Sequence, residues 1–332
     1  MFTSAAILGT GSFGTALASL IGTRLPEVVM IGRDPATVDS INLKHRNPHY
    51  LSAVELPETV RAEIGMTQAS LHPVILFCVP TSVTRQAAAD LADVGLPEET
   101  VIVSCAKGIE RGTGDRMSVI LQEVFPRNPV AVLSGPNHAE EIGRNLATCA
   151  VIGCTNEDLA VQLQDLFTTP HFRCYTSDDL AGIELGGAIK NVYAIAAGIA
   201  AGLKLGDNAI SALVTRALAE MTRLGVMLGG RVETFAGLSG VGDLIATCFS
   251  AHSRNHRVGL ALGEGKSLED AVNSLGMVAE GVPNTLSIYE AARAADARTP
   301  IIDAVHAILY QEMPAAWALS QLLNRDPRPE KD

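Results

Sequence analysis

The sequence contains no CxxC pair, no basic segment at its start, no internal repeat and no low-complexity run. It is also short of positive charge. Lys and Arg number 25 against 36 Asp and Glu, for a formal net charge of -11. A general nucleic-acid binder wants a basic surface, so no nucleic-acid partner is expected. An anionic small substrate stays open, because one local cluster of Arg and Lys can outweigh the global balance. The six cysteines, Cys78, Cys105, Cys149, Cys154, Cys174 and Cys248, sit mostly in apolar runs such as ILFCV and VIVSCA. Without paired spacing they read as buried, reduced thiols of a cytoplasmic protein, and no metal site is expected. The first apolar run, AAILG, leads straight into glycines, which is not a secretory signal pattern. The tail Asn324–Asp332, NRDPRPEKD, reads as disordered.

What is present describes a globular chain. The 332 residues are 47% hydrophobic and 18% charged, enough for two domains with sizeable cores. Ala5–Leu8 is a short apolar strand. Gly9-Thr10-Gly11-Ser12-Phe13-Gly14 follows it, then a helical stretch, then a second buried strand at Val28–Ile31. A GxGxxG between strand and helix is the dinucleotide-binding arrangement. Its glycines permit a tight turn and close backbone approach to a pyrophosphate, and the helix N-terminus offers free N–H groups.

The end of the second strand selects the cofactor. An NAD enzyme usually carries an acid there for the ribose hydroxyls. This chain carries Arg33, which can hold a 2′-phosphate, so NADP (as NADPH) is favoured. Asp34 keeps NAD open, although it also suits the N-cap of a helix opening at Pro35.

Further buried strands are expected near Val74–Val79, Val101–Ser104, Val130–Leu133 and Ala150–Ile152. Helices are expected between most of them, at 82–93, 114–125 and 156–167. This alternation predicts an α/β, mostly parallel, doubly wound sheet. Two loops fall at the carboxyl ends of strands, where ligands bind in such sheets. Lys107 in the first contacts an anion or is a surface lysine. Asn137 in the second, SGPNH, contacts ligand or caps the next helix.

From Glu184 to Gly202 the chain runs ELGGAIKNVYAIAAGIAAG, with no polar face; between Leu185 and Leu203 the one formally charged side chain is Lys190, with Asn191 beside it. Such a helix is buried in protein or spans a membrane. The Gly/Ala richness and the internal lysine disfavour membrane insertion. Lys190 is then either a working group whose pKa burial lowers, or a lysine that snorkels to the surface. Past Gly202 no strand is expected. Helices are expected at Asn208–Leu228, Leu238–Phe249, Asn255–Leu262, Leu268–Leu275, Pro283–Ala295 and Ile301–Tyr310. The chain therefore divides into a Rossmann-type domain, 1–181, and an all-α domain, 182–332. HSRNHR, at 252–257, is either a phosphate site at a helix start or a solvated basic turn.

Nine blocks in order, GTGSFGTALA, NPHYLSAVELP, AKGIE, SGPNHAEE, ELGGAIKNVYAIAAGI, GDNA with TRALAEM, GVGDLIATC, SRNHRVG and VAEGVPNT, resemble the bacterial NAD(P)-dependent glycerol-3-phosphate dehydrogenases. The resemblance implies an active site between the two domains. It implies interconversion of dihydroxyacetone phosphate and sn-glycerol 3-phosphate, feeding phospholipid synthesis. It also places Lys190 as the catalytic proton acceptor. It puts Lys107, Gly135, Asn137, Asp243, Ser253, Arg254 and Asn255 against a phosphorylated triose. It puts Ser12, Phe13, Arg33, Ala139, Val278 and Glu280 against the cofactor, joined by Lys107 and Arg254. Many members have Ser or Thr where Asn137 stands. Oligomeric state is not readable, and a homodimer stays open. Other readings are a two-domain dehydrogenase of 3-hydroxy acid or 6-phosphogluconate type, and a non-catalytic dinucleotide sensor. The SRN and VAEG blocks argue against the first, and Lys190 against the second.

Overall fold

The computed structural model describes residues 2–275, 279–323 and 329–330. Val278 and most of the tail Asn324–Asp332 lie outside the described residues. Eight strands form one sheet: β1 Ala5–Leu8, β2 Val28–Gly32, β3 Val60–Ile64, β4 Val74–Phe77, β5 Val101–Ser104, β6 Val130–Ser134, β7 Thr148–Gly153 and β8 Phe172–Ser177. Their spatial order is β3-β2-β1-β4-β5-β6-β7-β8. All neighbours are parallel except β6 and β7. Six helices accompany the sheet: α1 Ser12–Ile21, α2 Pro35–Lys44, α3 Thr84–Ala92, α4 Met117–Val124, α5 Ala139–Ile142 and α6 Glu157–Phe167.

The central strands β1, β4, β5 and β6 are buried at every position, as strands covered on both faces must be. That continuous apolar signal makes them legible. The two edge strands were not expected. β3, VRAEI, and β8, FRCYTS, bury only alternate or scattered residues, so neither shows an apolar run. Strand order reverses between β1 and β4, and a crevice opens beyond the carboxyl ends of the strands there.

The second half is helical among the described residues: α7 Leu180–Gly202, α8 Asp207–Met227, α9 Val232–Phe235, α10 Asp243–Phe249, α11 Arg254–Gly263, α12 Leu268–Asn273, α13 Gly281–Ala294, α14 Pro300–Tyr310 and α15 Ala315–Leu323. The single helix expected over 238–249 is instead a π-turn, Leu238–Gly242, feeding α10. Asp243 is thus the first residue of a new helix.

α7 is the spine, and its composition has a packing cause. A Cβ on Gly198 would lie 2.1 Å from the His256 carbonyl oxygen, and one on Gly259 would lie 2.0 Å from that of Ile195. The backbones of α7 and α11 touch, and only glycine fits at the contact. By length and mean hydropathy α7 could span a membrane, but 89% of its apolar window is buried inside the protein. Asp179 starts it, its carboxylate accepting from the Gly182 N–H at 2.9 Å.

Candidate active site

A cleft of about 800 Å³ runs from the glycine loop after β1 to α7 and α11. Gly9, Gly11, Ser12, Phe13, Arg33, Lys107, Asn137, Ala139, Lys190, Ser253, Arg254, Asn255 and Glu280 all line it. Sequence reasoning therefore picked residues that the fold gathers in one place. Gly14, Gly135 and Asp243 stand behind the lining.

The glycine loop divides its labour as close approach requires. Gly9 sits at φ +111°, and a Cβ there would lie 2.8 Å from the Cys78 carbonyl oxygen. A Cβ on Gly14 would lie 2.2 Å from the Gly9 carbonyl oxygen, so this glycine seats α1 on the loop. A Cβ on Gly11 would meet no atom of the described residues within 4 Å. Gly11 thus faces open cleft, and α1 begins at it with no side-chain cap and no acid in its first turn. These N–H groups and the cleared approach fit a pyrophosphate.

At the end of β2, Asp34 caps α2. Its carboxylate accepts from the Thr37 N–H at 3.0 Å and the Thr37 hydroxyl at 2.6 Å. The Thr37 hydroxyl and N–H hold its pKa below the usual value. Arg33 is exposed beside it and lines the cleft.

At the other end, charge is buried. Lys190 is 4% exposed, which removes the snorkelling alternative. Its Nζ donates to Asp243 Oδ1 at 2.6 Å and to Thr247 Oγ1 at 2.7 Å. Burial pulls the Lys190 pKa down, the Asp243 carboxylate opposes this, and the Lys107 charge adds to the fall; it stands at about 8. Lys107 is not a surface lysine either. Its Nζ donates to the Gly135 carbonyl at 2.8 Å, Asn137 Oδ1 at 2.7 Å and Asp243 Oδ2 at 2.9 Å. Asp243, 1% exposed, therefore shares its two oxygens between the two lysines. Burial raises its pKa, but the charges of Lys107 and Lys190 outweigh this and hold it below the usual value. One carboxylate against two ammonium groups leaves the cluster net positive, which suits an anion.

Asn137 is not the N-cap of the following helix. His138 occupies that position, and the Asn137 amide is turned toward Lys107. Its Nδ2 is buried with no hydrogen-bond partner among the described residues. Such a donor is costly unless a ligand accepts from it. Gly135 sits at φ +125°, a conformation that favours glycine, and presents its carbonyl to Lys107.

α11 begins at Arg254, as the helix-start reading of HSRNHR required. Ser253 caps it, its hydroxyl accepting from the His256 N–H at 3.2 Å. The Asn255 side chain is used inside the protein. Its Nδ2 donates to Asn191 Oδ1 at 2.9 Å and its Oδ1 accepts from the Gly281 N–H at 3.0 Å. What Asn255 can offer a ligand is its backbone N–H in the first helical turn. Glu280 lies at the cleft at the start of α13. Burial raises its pKa, opposed by the Arg254 charge.

Two contributors escaped sequence reasoning. Thr247 holds Lys190, and it lies four residues after Asp243, the spacing that puts both on one helix face. Asn191 donates to the Lys107 carbonyl at 3.1 Å, fixing that strand-end loop against α7.

Comparison with known proteins gives one family over nearly the whole chain. A sequence profile described as NAD-dependent glycerol-3-phosphate dehydrogenase N-terminus matches residues 4–160, and the corresponding C-terminus profile matches 179–320. The glycerol-3-phosphate dehydrogenase [NAD(P)+] of Desulfitobacterium hafniense is 44% identical over 98% of this chain and 92% of its own length. That of Thermobifida fusca is 44% identical over 99% of each chain. The crystal structure of glycerol-3-phosphate dehydrogenase from Coxiella burnetii superposes with a TM-score of 0.93 at 35% identity, covering 97% of this chain and 99% of the other. The chain belongs to the NAD-dependent glycerol-3-phosphate dehydrogenase family.

Proposed function

We propose that this chain reversibly reduces dihydroxyacetone phosphate to sn-glycerol 3-phosphate, with NADPH favoured and NADH accepted, for glycerophospholipid synthesis in the cytoplasm. The observation that carries this reading is Lys190, buried on Asp243 in the same cleft as the glycine loop, with a pKa of about 8. An ammonium of that acidity can give up a proton near neutral pH and be recharged. When bound, the reduced nicotinamide supplies a hydride to the carbonyl carbon. Lys190 then donates a proton to the oxygen that becomes the alcohol, and in oxidation the neutral amine takes it back. Asp243 and Thr247 aim Lys190. Lys107 and the unpartnered Asn137 Nδ2 hold the triose, and Gly135 holds Lys107. Ser253, Arg254 and the Asn255 N–H take the phosphate at the α11 N-terminus. Binding energy from that non-reacting end aligns the carbonyl. Ser12, Phe13, Ala139 and Glu280 are assigned to the cofactor.

We place the domain boundary at residue 181, in the first turn of the spine helix that follows β8. Six free cysteines favour a reducing compartment. A homodimer is consistent with exposed Val226, Met227, Val232, Ile245 and Phe249 on the helical half, and sedimentation velocity decides it.

The test is loss of NADPH absorbance with dihydroxyacetone phosphate, run beside NADH and beside acetoacetyl and gluconate-type substrates. Turnover confined to the triose phosphate is expected. Turnover confined to either other class would overturn the reading. Arg33→Asp should weaken NADPH much more than NADH, by removing a cation and adding repulsion. Equal loss of both would mean that Arg33 does not meet the 2′-phosphate.

A further inference from the structure

Asn47 lies in the loop between α2 and β3, outside the cleft lining, and is 0% exposed. Its amide uses its full bonding capacity. Nδ2 donates to the Thr10 carbonyl at 2.7 Å and to the Thr15 hydroxyl at 2.9 Å. Oδ1 accepts from the His49 N–H at 3.0 Å and the Tyr50 N–H at 3.1 Å. One side chain therefore ties three pieces together: the glycine loop, the first turn of α1, and the segment that carries His49 and Tyr50. Both of those residues line the cleft beside Arg33. The segment is bounded by His45 at φ +49° and Leu51 at φ +53°, left-handed positions without glycine. Conformations of that kind persist only where surrounding contacts impose them.

The bond to Thr10 matters most. The Thr10 carbonyl and the Gly11 N–H share one planar peptide and point in opposite directions. Fixing the oxygen from behind fixes the direction of the N–H in front. Gly11 is the loop residue whose approach is open to the cleft. Thr10 is held from its other side as well, since a Cβ on Gly32 would lie 3.0 Å from Thr10 Cγ2.

We infer that Asn47 is a positioning residue for the dinucleotide: it sets cofactor affinity, without touching the cofactor, by aiming the Gly11 peptide and seating the His49–Tyr50 segment. The inference rests on reading the cleft as a dinucleotide site. Binding is therefore measured directly, by the fluorescence of NADPH on the full chain without substrate, and steady-state kinetics follow. Asn47→Ala removes all four of these bonds and should weaken NADPH about tenfold or more. Turnover at saturating NADPH and the Michaelis constant for dihydroxyacetone phosphate should stay within about threefold, since the lysine cluster is untouched. Thr15→Val, which removes one of the two acceptors, should shift NADPH in the same direction by a smaller factor, and it decides the matter if Asn47→Ala does not fold.

Asn128→Ala is the control. That asparagine is also buried and also donates to two carbonyls, of Pro97 and Thr100, away from the cleft. It should lower the melting temperature without moving NADPH affinity. Unchanged NADPH affinity in the variants at 47 and 15, or an equal shift in the variant at 128, overturns the inference while leaving the cleft reading intact. A wild-type chain that binds no dinucleotide overturns both.

Discussion

The two ends of the cleft are built by opposite means. At the glycine loop the groups on offer are backbone N–H donors, and Gly11 leaves the approach to them clear. At the lysine end they are charged side chains, Lys107, Lys190 and Asp243, locked into one network. The first design is local: six consecutive residues and the helix they open contain it. The second is assembled from a loop after β5, a loop after β6, the middle of α7 and the first turn of α10. A site of the first kind tolerates little change in backbone shape. A site of the second kind tolerates little change in charge.

Substitutions at each end should separate these behaviours. The largest effect is expected at the charged end. Lys190→Ala should lower turnover by about two to four orders of magnitude, the span of a positioned acid–base group, with NADPH binding little changed. Single-turnover absorbance and NADPH fluorescence together measure this, and wild-type turnover would refute the assignment. Next comes Arg254→Ala. Loss of a charge-assisted bond should raise the Michaelis constant for dihydroxyacetone phosphate by about one to two orders of magnitude. Exposed Arg257, on the same helix, should matter much less. If Arg257→Ala loses substrate affinity and Arg254→Ala does not, the wrong face of α11 has been assigned.

The smallest effects, at the glycine end, sharpen the contrast most. Gly14→Ala drives a Cβ to 2.2 Å from a backbone oxygen, so it should cost about 1–3 kcal/mol in stability as well as NADPH affinity. Gly11→Ala meets no atom of the described residues, so the melting point should stay put while NADPH binding weakens. Thermal melts with and without NADPH compare the two. An unaltered NADPH affinity in the Gly11 variant would mean that the loop does not approach the ligand there.

The same contrast explains what the sequence allowed to be read. The glycine loop was legible because its physics lies in adjacent residues, and the central strands because both their faces are apolar. β3 and β8 were not, since an edge strand carries no continuous apolar signal. Lys190 was singled out as the one charge between Leu185 and Leu203, but its partner was not derivable, because Asp243 lies far along the chain. Resemblance placed Asp243 beside the substrate, and the structure pairs it with Lys190 at 2.6 Å. Lys107 and Asn137 each had a bland alternative that spacing could not remove; the 2.7 Å bond between them removed both. Asn47 opens one of the resembling blocks, NPHYLSAVELP, but what it holds was not readable, because Thr10 and Thr15 lie far back along the chain.

The most direct test of the account is the pH dependence of turnover in both directions at saturating substrates. Lys190 must be protonated to donate in reduction and neutral to accept in oxidation. With its pKa at about 8, reduction should fall as pH rises through that value, while oxidation should rise. Asp243→Asn should move the limb to lower pH, since it removes the carboxylate that opposes the burial shift. A limb near pH 8 with opposite sign in the two directions, displaced in the variant, is the expected result. Rates that show no ionisation between about pH 7 and 9, or the same limb in both directions, would contradict the assignment of Lys190.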